Sequence, residues 1–290
     1  MLDLIYNPIA GGANGKKMQK TLSVLKKRLK EKNIEYAFHA TEYKGHATLI
    51  TKNLTESKVT TIVVIGGDGT LHEVINGFTN FDKCALALIP CGTGNDFASA
   101  LKLPHDPIKA LDLILNGTPK YTDFMQMPTV RGINIIGMGI DVNVLNRYEK
   151  LKKKTKLGYI KCLIKTLFKF DYTKFSAEIN GKKTDYDAFI ACIANGNVYG
   201  GGIPVCPIAE PYDKKLNFLT VKKMKKIKII GAFIKLKAGK ILSLKETVTE
   251  PCTEIKIDAV KPYTVNVDGE LYNDIPFEIK IISDTLRMYR

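Results

Sequence analysis

The sequence predicts two domains, an α/β domain with a parallel sheet and then a domain of antiparallel strands. Apolar runs typical of strands alternate with helical patterns over residues 1–121, and three glycine-rich turns there each follow a strand. Short strand patterns then succeed one another over residues 122–290 with few helices between them, which favours an antiparallel β-sandwich. The last residues could still pack back on the first domain.

The central segment of the first domain is a strand, a turn and a helix. Ile62–Ile65 is a β-branched run typical of a buried strand, Gly66–Thr70 is a glycine-rich turn, and apolar residues then recur at helical spacing. Such a turn presents backbone N–H groups and a helix N-terminus to an anion, so we predict a site for nucleotide phosphate. Asp68 fits beside a phosphate only if a metal ion or a reacting hydroxyl lies between them.

Two further glycine-rich turns support a nucleotide site. Leu2–Tyr6 runs into a turn at 7–16, and the apolar run 84–89 runs into a turn at 90–97. Neither turn completes the P-loop or the Rossmann fingerprint. Ligands of parallel sheets lie at the carboxyl ends of the strands, where all three turns are expected, so the turns together predict a nucleotide cleft.

The amino-acid composition and the net charge limit the molecules that the chain can bind and the compartment in which it is expected. The chain has a net charge of +15 and six cysteines without a CxxC pair. It has no uncharged apolar stretch of 18 residues and no signal-peptide pattern, so we expect a reducing, cytoplasmic location. The charge suits nucleic acid, an anionic membrane or anionic small molecules. The basic runs lack the aromatic platforms of a single-strand groove, which argues against nucleic acid.

Two basic segments are amphipathic. Within 147–174, apolar residues recur at helical spacing beside a lysine stripe: Ile160, Leu163, Ile164, Leu167 and Phe168 against Lys161, Lys165 and Lys169. A second basic run, 222–240, is also interleaved with apolar residues. The pattern predicts either a helix on an anionic membrane surface or a helix that packs its apolar face on the protein. The first alternative implies peripheral association with the inner face of the membrane.

Four elements now bear on identity: Asn7–Gly11, Gly66–Thr70, Pro90–Asp96 and Val267–Glu270. Together they resemble the soluble diacylglycerol kinase family, which includes bacterial lipid kinases and the sphingosine and ceramide kinases. The Gly66–Thr70 turn alone is less specific, because NAD kinases and phosphofructokinases share it in similar form. The resemblance implies an α/β nucleotide domain like that of these enzymes, a C-terminal β-sandwich, and phosphorylation of diacylglycerol to phosphatidic acid with ATP and Mg²⁺.

The resemblance also implies roles for individual residues. Asp68 would lie at the reacting centre, Glu270 would be the general base, and Asp96 would support the site through a charge pair. ATP would be bound by two of the glycine-rich stretches and by two threonines: Asn7, Pro8, Ile9, Ala10, Gly11, Thr41, Gly66, Gly67, Asp68, Gly69, Thr70, Leu71, His72, Glu73 and Thr93.

The residue types leave alternatives open at these positions. Asp268-Gly269 is also a common hairpin turn, which would make Glu270 a solvated turn residue. Asp96 could equally be a helix N-cap, and His72 a structural residue.

A metal site is implied further along the chain. The segment 210–215 resembles the position at which some bacterial members of the family hold a structural Mg²⁺. Asp213 would give its carboxylate, and Glu210 and Lys215 would give further oxygen ligands. The family often has glycine after that aspartate, whereas this chain has Lys214.

Three functions compete. The leading prediction is a lipid kinase with a lipid substrate, and the lipid could be diacylglycerol, phosphatidylglycerol, a sphingoid base or undecaprenol. An NAD kinase-like enzyme would act on a soluble substrate and would not need basic amphipathic segments. A non-enzymatic lipid- or nucleotide-binding regulator would not need Asp68, Asp96 and Glu270 together. An exposed sheet edge in the second domain could also pair two copies into a homodimer.

Overall fold

The computed structural model describes residues 1–10, 15–57, 61–151, 155–167, 170 and 172–290. The chain forms two compact units: the first consists of Met1–Asp123 with Ser283–Arg290, and the second of Phe124–Ile282. The sequence placed the boundary after residue 121, and the last eight residues are part of the first unit. None of the helices in these ranges is long and apolar enough to cross a membrane.

The first unit alternates strands and helices in chain order. Its elements are β1 Leu2–Tyr6, α1 Lys16–Glu31, β2 Tyr36–Ala40, α2 His46–Ser57, β3 Thr61–Gly66, α3 Asp68–Gly77, β4 Ala85–Pro90, α4 Asp96–Ala100, α5 Pro107–Asn116 and the start of β5 Lys120–Gln126.

The sheet of the first unit is parallel. Its order is β2-β1-β3-β4, and Met288 near the C-terminus pairs with Leu86 of β4. The β-branched run 62–65 lies fully buried in β3, as its composition predicts. Because β1, β3 and β4 are parallel neighbours, the turns that follow them lie at the same edge of the sheet.

The second unit is mostly strands. Its elements are β6 Arg131–Gly132, β7 Ile135–Gly139, α6 Ile140–Glu149, α7 Lys156–Leu167, β8 Thr173–Ile179, β9 Lys182–Ala194, β10 Leu216–Lys222, α8 Lys226–Lys237, a 3₁₀ helix Ile241–Ser243, β11 Thr247–Cys252, β12 Glu254–Ala259, β13 Thr264–Val267, β14 Glu270–Asn273 and most of β15 Glu278–Met288.

These strands pair antiparallel, as the sequence predicts. The order is β14-β13-β7-β9-β8-β12-β15, and β9 also pairs with β10, which pairs with β11. Burial alternates along β8, where Phe175, Ala177 and Ile179 face the core. The turn after β13 and the helix after β7 carry the residues discussed below.

The basic helix α7 packs one face on the protein. Tyr159, Cys162, Leu163 and Thr166 are buried, and the first three belong to a cluster shared with α6 and α8. Ile164 is instead exposed beside Lys161 and Lys165, so the packed face is rotated from the predicted stripe. Phe168 and Lys169, also part of that stripe, lie outside the described residues. The packing alternative is therefore confirmed for one face of the helix.

Candidate active site

The turns after β3 and β4 lie in direct backbone contact. A Cβ atom on Gly92 would lie 2.4 Å from the Cα atom of Gly67, which no side chain can tolerate. The N–H groups of Cys91 and Gly92 donate to the carbonyl of Gly66 at 2.8 and 3.2 Å. The two predicted phosphate-binding turns therefore form one surface, and glycine is required where they touch.

Asp68 links these turns through its carboxylate. It accepts hydrogen bonds from the backbone N–H groups of Asp96 and Phe97, both at 3.1 Å. Gly94 makes room for this, because a Cβ there would lie 2.8 Å from Asp68 Oδ2. The structure thus brings the predicted residues Asp68 and Asp96 together, and Asp68 satisfies N–H groups at the start of α4.

The alternative that Asp96 caps a helix is wrong. The N-cap of α4 is Asn95, which has a left-handed backbone, and Asp96 is the first helical residue, with a side chain that is almost fully buried. The side chain of Asn95 instead bonds Gly92, with its Oδ1 atom accepting from the N–H at 2.9 Å and its Nδ2 group donating to the carbonyl at 3.1 Å. The Asp96 carboxylate is therefore buried in the first turn of α4, close to Asp68, and does not occupy the cap position.

The donor set at these turns fits a magnesium ion that arrives with ATP. Mg²⁺ is usually held by one or two carboxylates together with substrate phosphates and waters. Asp68 and Asp96 supply two neighbouring carboxylates next to the phosphate-type turns. No group of three or more His, Cys, Asp or Glu side chains suited to a metal occurs in the described part of the chain. A closed all-protein metal cage is therefore absent from that part.

The first glycine-rich turn is ordered by Asn7. Its Oδ1 atom accepts from the N–H of Ile9 and its carbonyl from the N–H of Ala10, both at 3.0 Å. Pro8 and Ile9 are exposed, and Gly11 lies outside the described residues. Thr41 lies close by, because its N–H donates to the carbonyl of Tyr6 at 2.9 Å.

The last three residues of the predicted ATP-binding stretch 66–73 lie on α3, and their side chains are buried or already hydrogen-bonded. The side chain of Leu71 is fully buried and that of His72 nearly so, which leaves only their backbone for a nucleotide contact. Glu73 Oε2 accepts from the N–H of Ala47 at 3.1 Å, so this carboxylate serves the start of α2. Gly69 and Thr93 are exposed and remain candidates for phosphate contact.

Glu270 begins β14, directly after a two-residue hairpin turn. Asp268 and Gly269 have φ angles of 53° and 103°, which is the left-handed geometry that tight hairpins require. The hairpin alternative is therefore confirmed, but Glu270 is half-buried and not fully solvated. Glu270 belongs to the second unit, whereas Asp68 and Asp96 belong to the first.

Asp268 is a site residue that the sequence interpretation missed. Its carboxylate is buried and accepts three backbone hydrogen bonds, from Ile133 at 2.7 Å, Asn134 at 2.8 Å and Ile135 at 3.0 Å. A carboxylate that accepts three N–H groups is held rigidly. Asp268 therefore fixes the turn that carries Glu270 against the start of β7.

An apolar cavity of about 100 Å³ lies within the second unit. Its wall is formed by β7, β9, β10 and the inner faces of α7 and α8, with Leu163, Phe189, Ile229 and Phe233 among the lining residues. Asp141, on α6, is the only charged residue among the described lining residues. The cavity thus has an apolar body and one acidic end.

The carboxylate of Asp141 is buried and only partly hydrogen-bonded, which is unusual for this group. Its Oδ2 atom accepts from Asn266 Nδ2 at 2.8 Å, while its Oδ1 atom is buried without a hydrogen-bond partner in the described part of the chain. Burial raises its pKa to about 6, and the hydrogen bond from Asn266 opposes that shift. Gly137 leaves space for the group, because a Cβ there would lie 2.8 Å from Asp141 Oδ2.

The predicted metal segment forms a tight turn. Asp213 Oδ1 accepts from the N–H of Lys215 at 3.0 Å, and the carbonyl of Glu210 accepts from the N–H of Tyr212 at 2.8 Å. Lys214 has a left-handed backbone with a φ of 63°, the conformation that glycine adopts most readily. The turn therefore keeps the backbone shape that glycine would favour at this position, and Mg²⁺ at Asp213, Glu210 and Lys215 stays a prediction.

Comparisons with known proteins find relatives that span almost the whole chain. Residues 2–127 match the diacylglycerol kinase catalytic domain, and residues 134–290 match the YegS C-terminal NAD kinase beta sandwich-like domain. The chain is 29% identical over 280 residues to the diacylglycerol kinase of Bacillus subtilis, covering 95% of this chain and 91% of that protein. It is 27% identical over 292 residues to the diacylglycerol kinase of Staphylococcus carnosus, covering 99% and 94%.

Solved structures share the same architecture. A diacylglycerol kinase from Bacillus anthracis superposes with a TM-score of 0.72 at 21% identity, covering 99% of this chain and 96% of that one. An NAD kinase from Archaeoglobus fulgidus in complex with ATP gives 0.55 at 14%, covering 100% and 94%. The predicted fold class is confirmed, and the chain belongs to the diacylglycerol kinase and YegS-type lipid kinase family.

Proposed function

We propose that the protein is an ATP-dependent lipid kinase that transfers the γ-phosphate of ATP to the hydroxyl of diacylglycerol. The observation that carries this proposal is the apolar cavity with Asp141 at its one charged end. An acyl chain fits such a wall, and the glycerol end of the lipid would then lie beside Asp141. NAD carries phosphates and many polar groups, which this wall would leave without partners.

The reaction needs positioning and charge stabilisation more than covalent chemistry. The glycine-rich turns of the first unit supply backbone N–H groups to the ATP phosphates. Bound Mg²⁺ would neutralise charge on those phosphates, and Asp68 and Asp96 are the residues that would hold it. The lipid hydroxyl oxygen bonds to the γ-phosphorus as the bond to the bridging oxygen of ADP breaks, and the Glu270 carboxylate takes the hydroxyl proton.

The second unit also favours an anionic membrane surface as a partner. On α8, Ile230 and Ile234 lie one turn apart and are 51% and 62% exposed, and on α7 Leu157 and Ile164 are also exposed. Lysines accompany both pairs along the same helices. Exposed apolar side chains among lysines are typical of helices that bind anionic lipid surfaces. The inner faces of these helices line the cavity, so a lipid could enter it from the membrane.

The test is phosphate transfer from γ-labelled ATP with Mg²⁺ to anionic vesicles that contain diacylglycerol, with NAD in a parallel reaction. We expect label in the organic phase and none on NAD. Vesicles that carry phosphatidylglycerol, a sphingoid base or undecaprenol in place of diacylglycerol decide the lipid. Label on NAD alone would replace the proposal with the NAD kinase alternative, and no label on any acceptor would favour a non-enzymatic regulator.

A further inference from the structure

Asn266 is a fully buried polar side chain on β13, between two fully buried valines. Its Nδ2 group donates to Asp141 Oδ2 at 2.8 Å and to the Tyr199 hydroxyl at 2.7 Å. Its Oδ1 atom accepts from the N–H of Gly269 at 2.9 Å. Both amide hydrogens and the amide oxygen are therefore engaged, each by a different element of the second unit.

The register between β13 and β7 explains why Asn266 can bond Asp141. Asn266 pairs with Gly137 of β7, and the missing side chain at Gly137 gives Asp141 access to the strand from α6. The two ends of the amide then face in different directions, one toward the acidic end of the cavity and one toward the turn before Glu270. An apolar side chain here would leave the buried carboxylate of Asp141 and the partly buried N–H of Gly269 without their partner.

We propose that Asn266 is a positioning residue that holds the acidic end of the cavity and the turn carrying Glu270 in one fixed arrangement. The proposal rests on the proposed function, because it assigns the cavity to the lipid and Glu270 to proton removal. A lipid that lies against Asp141 and the base that takes the proton of its hydroxyl must keep a constant geometry during transfer. One amide that bonds both Asp141 and the backbone of the turn before Glu270 provides this without any direct contact between Asn266 and the reacting atoms.

The first experiment exchanges the side chains of Asp141 and Asn266 in two steps. Asn266→Asp keeps the shape and the acceptor for Gly269 but removes both donors and places a second carboxylate beside Asp141. We expect kcat for diacylglycerol to fall by at least about tenfold and KM for the lipid to rise, with KM for ATP unchanged. The double variant Asp141→Asn with Asn266→Asp restores one donor and one acceptor with their places exchanged, so it should recover most of the lost kcat.

The matched control is Asn273→Asp on the neighbouring strand β14. Asn273 is exposed, and its Oδ1 atom accepts from the hydroxyl of Thr264 at 2.8 Å. We expect this variant to retain wild-type kinetics. Three results would overturn the proposal: Asn266→Asp with wild-type kcat, a double variant no more active than Asn266→Asp although both are folded, or equal changes in KM for ATP and for the lipid.

The second experiment does not depend on turnover. The amide resonance of Gly269 is followed by NMR in a double-mutant cycle at near-neutral pH. Asp141→Asn should move this resonance in the wild-type background and leave it unmoved when Asn266→Ala, or Asn266→Ser if alanine does not fold, is already present. A Gly269 resonance that ignores Asp141→Asn in the wild-type background refutes the linkage. If it responds while no lipid is phosphorylated, the linkage holds and the proposed function fails.

Discussion

Asp268→Asn tests how firmly the Glu270 turn is held. Asparagine adopts the left-handed backbone of this position as readily as aspartate does, so the turn itself is not strained by the change. The substitution removes the charge behind the hydrogen bonds from Asn134 and Ile135 and sets an amide NH₂ group against the N–H of Ile133. The variant therefore isolates the contribution of the carboxylate.

The expected loss in the free energy of unfolding follows from these three hydrogen bonds. Hydrogen bonds to charged groups contribute about 1.5–3 kcal/mol each and neutral ones about 1 kcal/mol, and a buried N–H group left without an acceptor costs about 1–3 kcal/mol. Two bonds weakened by about 0.5–2 kcal/mol each and one N–H group left without an acceptor give a loss of about 2–7 kcal/mol in the free energy of unfolding of the second unit. The kcat for lipid phosphorylation should fall as well, because the backbone of Glu270 is no longer fixed.

Urea unfolding followed by circular dichroism measures the loss, with Asp274→Asn as the matched control. Asp274 has a similar φ of 51°, is exposed, and accepts a single bond from the N–H of Tyr263 at 3.0 Å. The control should lose less than about 1 kcal/mol. Equal losses in the two variants would refute the argument that the three buried bonds hold the turn.

Three further outcomes are expected. Glu270→Gln should abolish lipid phosphorylation in the vesicle assay without lowering the melting temperature, because glutamine has the same size and the replaced side chain is only half-buried. Asp68→Ala should abolish phosphorylation and also cost about 1–2 kcal/mol in unfolding experiments, since its carboxylate accepts N–H groups at the start of α4. Replacing Ile230 and Ile234 by serine should abolish binding to anionic vesicles in a sedimentation assay. Phosphate transfer from ATP to detergent-dispersed diacylglycerol should persist in this variant.

A fourth outcome concerns pH. The pKa of Asp141 is raised from 3.8 to about 6 in the folded chain, so the folded state binds more protons than the unfolded state between these values. Its contribution to stability is therefore greatest below about pH 4 and is lost as the pH rises through 6. Asp141→Asn should stabilise the fold at pH 7 by up to about 3 kcal/mol and have little effect near pH 3, measured by thermal unfolding.

For each of these variants, one specific result would contradict the prediction. Turnover in Glu270→Gln near the wild-type rate would remove that residue from proton transfer. Unchanged stability of Asp68→Ala would show that α4 does not depend on this carboxylate. Vesicle binding by the double serine variant at the wild-type level would leave α8 without a membrane role. Equal effects of Asp141→Asn at pH 3 and pH 7 would contradict the raised pKa.

The sequence was enough to predict an α/β domain followed by antiparallel strands. Local patterns suffice for this, because the β-branched run 62–65 and the alternation along β8 reflect burial in single elements. The glycine-rich turns were also readable, since glycine occurs where backbone approaches backbone, as at Gly67 and Gly92. The four spaced motifs of the resemblance predicted the family that the comparisons then confirmed.

The hydrogen-bond partners of the buried polar groups could not be predicted from the sequence. The bond from Phe97 to Asp68 joins residues 29 apart in sequence, and that from Asn266 to Asp141 joins residues 125 apart. No local periodicity encodes such pairs, because hydrogen-bond partners across strands depend on register and on helix packing. For the same reason the cavity was invisible in the sequence: its wall comes from strands and helices whose apolar residues resemble any other core until they leave a space unfilled.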